Sequence, residues 1–247
     1  MPRARYSVLV IVGLIGFIAG FTPMARRRAQ PKVEATPVLL EEPDPAFVYR
    51  VELGDAPVRG PTHPRITIVE YSTYDCERCR QVEASLARLA ETHSLGIAWK
   101  DVPASAERNL AARAARAAGG QGKFWELHER LARLKSIDEA AVSREAAAAG
   151  LDVSRMMAAM RDPELAKIVA ADGVEAHRFG LNTAPGVFVN GRFVKDPTFE
   201  HLRVQVEEAE AFVAQLIADG TPQEKIYSAL MRGALPQAGP ISLESLK

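Results

Sequence analysis

Three spacings of apolar residues succeed one another along this chain, and each predicts a different kind of element. Residues 6–21, YSVLVIVGLIGFIAGF, contain no charge at all. Sixteen residues fall between a signal core of about 7 to 15 and a spanning helix of about 17 to 25. No small-x-small cleavage signature follows, and Arg26, Arg27 and Arg28 stand where a processing site is usually uncharged. Residues 1–24 are therefore read as an uncleaved membrane anchor, with a cleaved signal as the alternative. Arg3 and Arg5 on one side oppose the three arginines on the other, so the charge rule gives no orientation. Residues 25–46 are charged and punctuated by proline, as a tether is.

From residue 47 the spacing falls to two: Tyr49, Val51 and Leu53 alternate in FVYRVELGD, which predicts a strand ended by Gly54-Asp55. ITIVEYS, residues 66–72, is apolar on both faces except at Glu70, the pattern of a central strand covered above and below. Val82, Leu86 and Leu89 then recur at helical spacing to about His93, and LGIAWKDV resumes an extended pattern, completing a βαβ unit. Residues 104–180 carry only helical signals. Phe124, Leu127, Leu131 and Leu134 form one stripe, Gly150 is a helix C-cap, Asp152 an N-cap, and Asp162-Pro163 opens another helix, for four or five in all. Asn190-Gly191 inside GVFVNGRFV predicts a two-residue hairpin, because both residues tolerate positive φ. A long amphipathic helix follows from Phe199 to Leu216, and Thr221-Pro222-Gln223-Glu224 reads as a capping box for a short last one.

The chain of 247 residues is 47% hydrophobic, enough for an ordinary core in one domain, 47–247, with an appendage. No disulfide is needed to fold it. Six of its 31 basic residues lie within residues 1–32, which hold no acid, so the remainder carries 25 bases against 31 acids. A mildly acidic domain argues against nucleic-acid binding.

Cys76 and Cys79 are the only cysteines. As a staple they would close a four-residue loop and contribute about 2 kcal/mol, which a domain of this size does not require. A zinc or iron site needs about four ligands and this pair supplies two, so the metal reading reduces to something like a copper carrier. His63, His93, His128, His177 and His201 are scattered without ligand spacing and read as surface or half-buried residues. A working dithiol fits best. With strand 66–72 ending just before it and a helix starting near Cys76, the first sulfur lies over unpaired N–H groups at the positive end of the helix dipole, which favours a thiolate. Cys79, at i+3, lies on the same face within disulfide reach and resolves the mixed disulfide that Cys76 forms.

The stretches ITIVEYSTYDCERC, AARAARAAGGQGKFWELHERL and LNTAPGVFVNGRFV together resemble the DsbA-like thiol–disulfide oxidoreductases of the thioredoxin superfamily, over about residues 48–212. The resemblance implies an α/β thioredoxin-like fold: a mixed central sheet flanked by helices, with an all-helical insertion at about 104–180. It also implies a cis Pro185 facing the dithiol, with Ala184 pairing to the substrate backbone. The family usually has Thr or Val at the position of Ala184, so the hydroxyl or bulk offered there is missing. The residues between the cysteines, Glu77 and Arg78, also depart from the family's usual Pro followed by His, Tyr or Phe. Their charges oppose one another beside the sulfur and cancel to first order, which leaves the redox direction open.

In such folds the residue six before the first cysteine, here Glu70, is a buried carboxylate beneath the resolving sulfur. The pattern itself agrees, since Glu70 shares a strand face with Ile66 and Ile68; burial should raise its pKa and suit it to exchange a proton with Cys79. Lys100, on the next strand, is expected to be its partner. Trp99, Trp125, Met156, Met157 and Met160 are read as packing residues, and Glu207, Glu208 and Glu210 as a solvated face.

The expectation is a membrane-tethered domain in the periplasm or another extracytoplasmic space that exchanges disulfides with protein or peptide thiols, most simply as an oxidase. A membrane redox partner would reset it, and no metal, flavin or nucleotide cofactor is implied. The alternatives are a reductase or isomerase of the same fold, or a non-catalytic metal- or thiol-binding module.

Overall fold

The structure is a computed structural model that describes residues 42–74, 76–102 and 106–235. The anchor segment and residues 25–41 of the tether lie outside the described residues. Among the described residues no helix is long and apolar enough to cross a membrane.

Five strands form one mixed sheet in the order β1-β3-β2-β4-β5. These are β1 (Val58–Arg59), β2 (Ile66–Ser72), β3 (Leu95–Asp101), β4 (Gly186–Val189) and β5 (Arg192–Phe193). β2 runs parallel to β3 and antiparallel to β4, while β1 and β5 pair antiparallel at the two edges. Every residue of β2 and of β3 is buried. One sheet face, with Ile66, Ile68, Leu95, Ile97, Val187 and Val189, packs on α1 (Glu77–Ala90) and α7 (Phe199–Ala218). The other face, with Val69, Tyr71, Ala98 and Phe188, packs on Ala176 and Phe179, at the end of α6 (Pro163–Arg178).

Between β3 and β4 lie α2 (Ala106–Gly119), α3 (Phe124–Ala132), α4 (Glu139–Ala148), α5 (Val153–Ala159) and α6. Asp152 caps α5 and Asp162 caps α6 with Pro163 behind it, as the pattern predicts; Asp138 does the same for α4. Alanines of α2, Phe124, Leu127, Leu131, Met156 and Met160 enclose Tyr74 and Trp99 in a separate core. Behind the sheet, Arg116 is clamped between Asp101 and Asp172 at 2.7 and 2.5 Å.

Two expectations are corrected. Residues 47–53 form no strand: Val48 and Tyr49 make isolated bridges to Arg192 and Leu235, so their pairing divides between the hairpin and a residue far along the chain. The edge strand is instead Val58–Arg59, two residues too short to carry a period. Thr221 caps nothing; Pro222 precedes a 3-10 turn, Gln223–Lys225, which has no side-chain cap and leads into α8 (Ile226–Gly233). The hairpin does form, with Asn190 and Gly191 at φ 47° and 84°, and Asn190 Oδ1 accepts the Thr67 N–H at 2.8 Å.

Candidate active site

β2 delivers the chain to the C-terminal edge of the sheet, and Cys76, with extended φ and ψ of −136° and 108°, is the N-cap of α1. Its Sγ accepts the Cys79 N–H at 3.1 Å, so the sulfur occupies a place among the free amides of the first turn where anions are stabilised. Cys76 and Cys79 are joined as a disulfide with their Cα atoms 5.2 Å apart. The two sulfurs differ in access: Cys79 is 1% exposed, whereas Cys76 is half-buried. No three His, Cys, Asp or Glu side chains among the described residues converge as metal ligands.

The two charges between the cysteines do not simply face each other. Glu77 is engaged by Arg80, which holds its carboxyl below the usual range, and Arg78 bonds Asp196, in the loop after β5, at 2.8 Å. Each is answered locally and in solvent.

The Ala184-Pro185 peptide is cis, and both residues are half-buried. Tyr71 pairs with Gly186, so the antiparallel register carried one step further sets Pro185 beside Ser72, at the sheet edge from which Cys76 emerges.

Glu70 is 1% exposed and no well-aligned hydrogen bond reaches either carboxylate oxygen, the Ser72 hydroxyl lying close but poorly directed. Burial first, then the charge of Glu83, push its pKa well above the ordinary value; Ser72 and Arg59 oppose them weakly. Lys100 is not its partner. Glu70 is level with Trp99 and Lys100 with Tyr71, so the lysine points to the other face, where it pairs with Glu175 of α6.

The residues that do face Glu70's side are ones the sequence pattern did not single out. Glu83 of α1 bonds His128 of α3 at 3.0 Å, and His128 bonds the Tyr74 hydroxyl at 2.9 Å. His128 is fully buried, contrary to the expectation of a surface or half-buried ring. The signal was its spacing: it stands four residues from Phe124 and three from Leu131 on the apolar stripe of α3. Glu83, next to Val82 and four residues beyond Cys79, lies on the buried side of α1 in the same way.

An oxidised C-x-x-C pair at the N-terminus of the first helix, set on this mixed sheet with its helical insert, defines a thiol–disulfide oxidoreductase of DsbA-like architecture. The chain belongs to the thioredoxin family, which it matches over residues 52–208. It is similar to a thioredoxin-like oxidoreductase from Silicibacter pomeroyi, with 29% identity and a TM-score of 0.60 over 64% of this chain and 94% of that one. Oxidised BdbD from Bacillus subtilis shares the fold, with a TM-score of 0.60 at 15% identity over 67% and 98% of the two chains. The Na(+)/H(+) antiporter NhaA 3 of Salinispora tropica is 34% identical over 140 residues, 55% of this chain. This chain spans only 22% of that antiporter's length.

Proposed function

We propose that this chain is a dithiol oxidase that forms disulfides in protein substrates outside the cytoplasm, held at the membrane by residues 1–24. The observation that carries the reading is the asymmetry of the sulfurs: Cys76 is accessible and accepts the Cys79 N–H at 3.1 Å, while Cys79 is shielded. A substrate thiolate attacks Cys76 Sγ. The substrate–Cys76 bond forms as the Cys76–Cys79 bond breaks, and Cys79 departs as a thiolate that takes a proton from Glu70. The second substrate thiolate attacks the substrate sulfur, forming the substrate disulfide and releasing Cys76 as a thiolate over the helix N-terminus. Two electrons pass from substrate to protein through sulfur alone.

In this reading Ala184 and Pro185 hold the substrate backbone next to Cys76. Alanine supplies backbone groups without a hydroxyl, which suits a broad range of peptides. A membrane oxidoreductase takes the two electrons and restores the disulfide.

Cys76→Ser should abolish exchange with a reduced peptide, and Cys79→Ser should accumulate a substrate adduct through Cys76. Exchange by Cys76→Ser at the parent rate would end the mechanism. The reduction potential of the fragment from about residue 45 onward fixes the direction: a value nearer about −120 mV than about −270 mV supports the oxidase, and the reverse supports a reductase or isomerase.

A further inference from the structure

The site described above contains a buried line of polar groups that the exchange steps do not use. It runs from Tyr74 in the β2–α1 loop through His128 of α3 to Glu83 of α1, by contacts of 2.9 and 3.0 Å, and Glu83 acts through its charge on Glu70 of β2. His128 is walled by the rings of Trp99, Phe124 and Trp125, with centroids 4.3, 5.5 and 5.3 Å away. Glu83 has a second environment within reach. Its side chain, 15% exposed, also lines a recess of about 360 Å³ that contains Arg59, Arg80 and Arg133 as well as Glu129.

The partners dictate where the hydrogens sit. A carboxylate only accepts, so the Nε2 that faces Glu83 carries a hydrogen. Tyr74 remains a phenol, because burial and the charges of Asp101 and Glu83 hold its ionisation well above the ordinary value, against the weaker pull of Arg116. Its hydroxyl, able to donate or to accept, lies 2.9 Å from Nδ1 and closes the line.

We infer that His128 is a positioning residue that holds Glu83 turned inward toward Glu70, instead of outward to the guanidinium groups of Arg80 and Arg133. The inference rests on the reading of Glu70 as proton source for Cys79. Held inward, the charge of Glu83 favours the protonated form of Glu70, so the acid is loaded when Cys79 departs. Arg59, from β1, tempers this. Without His128, Glu83 moves to the recess and Glu70 ionises at lower pH.

The test reads the Glu70 carboxyl by NMR of the oxidised full-length protein with 13C-labelled glutamate, and the His128 ring by 15N. The Nε2 that faces Glu83 should carry a hydrogen. His128→Leu should lower the Glu70 midpoint by about one pH unit. His128→Gln, which offers Glu83 an N–H and Tyr74 a carbonyl, should keep it within about 0.3 unit of the parent. Glu83→Gln should lower it as His128→Leu does, and combining the two should add nothing. If His128→Leu does not fold, the ring spectrum and Glu83→Gln decide. A bare Nε2, a midpoint indifferent to Glu83→Gln, or equal effects of His128→Gln and His128→Leu would each overturn the inference. A midpoint that moves as stated while Glu70→Gln exchanges at the parent rate would retain the role of His128 and remove the proton-source role of Glu70.

Discussion

Glu70 and Lys100 stand on adjacent strands one register step apart and face opposite sides of the sheet, Glu70 level with Trp99 and Lys100 level with Tyr71. Side chains of directly paired residues share a face, so a single step is enough to put a wall of backbone between an acid and a base that look like partners in sequence. The lysine instead serves Glu175, with 6% and 14% of the two side chains exposed. Lys100→Met removes a counter-ion from that buried carboxylate and should cost about 2 to 3 kcal/mol in urea unfolding. It should leave the pH profile of disulfide exchange where it is. A profile displaced by Lys100→Met would reconnect Lys100 to Glu70.

Glu70 has the opposite signature. Burial and Glu83 raise its pKa in the folded state, so the fold binds the acid form better than the unfolded chain does. That contribution is present below the ordinary carboxylate range and is lost as pH rises from there through the raised value. Glu70→Gln removes this titration, so the melting temperature of the oxidised variant minus that of the parent should increase from pH 5 to pH 9. Where Glu70 supplies the proton, exchange by the variant should also slow by about 100-fold. A flat temperature difference would mean Glu70 is not desolvated as the structure has it.

Much of this was legible because the informative residues carry local rules. β2 starts and stops where its apolar run does, Asp152 and Asp162 cap their helices through their own side chains, and Asn190-Gly191 turns because its backbone tolerates positive φ. What stayed hidden depends on what lies across from a residue. The side Lys100 faces is set by strand register, the burial of His128 by the packing of α3 on α2 against Tyr74 and Trp99, and β1 is an edge pair of two residues whose position comes from β3. The segment 47–53 alternates correctly for a strand, yet its partners are split between two places.

Asp172 gives a second pH dependence, away from the disulfide. Burial raises its pKa from the ordinary 3.8 to about 6, despite Arg116 at 2.5 Å and the Asp101 N–H. As with any raised acid, its contribution is full below about pH 4 and lost as pH rises through about 6. Asp172→Asn leaves Arg116 with Asp101 and should be less stable than the parent at pH 4. That deficit should shrink by about 2 to 3 kcal/mol by pH 7, since the parent alone carries the cost of ionising. Urea unfolding at the two pH values measures it, and a deficit that grows with pH would contradict the assignment.

The Arg78–Asp196 pair concerns the disulfide directly. It joins a residue between the cysteines to the loop after β5 at 2.8 Å, with more than half of each side chain in solvent. Such a pair adds little to stability, but it decides which negative charge Arg78 answers. Asp196→Asn frees the guanidinium to turn toward the Cys76 thiolate that appears on reduction, which stabilises the reduced form. The reduction potential should rise by about 10 mV at low salt, and the difference should vanish at high salt because exposed charges are screened. Folding stability should be unchanged within about 0.5 kcal/mol. A fall in potential would show that Arg78 acts on the sulfur only while Asp196 holds it in place.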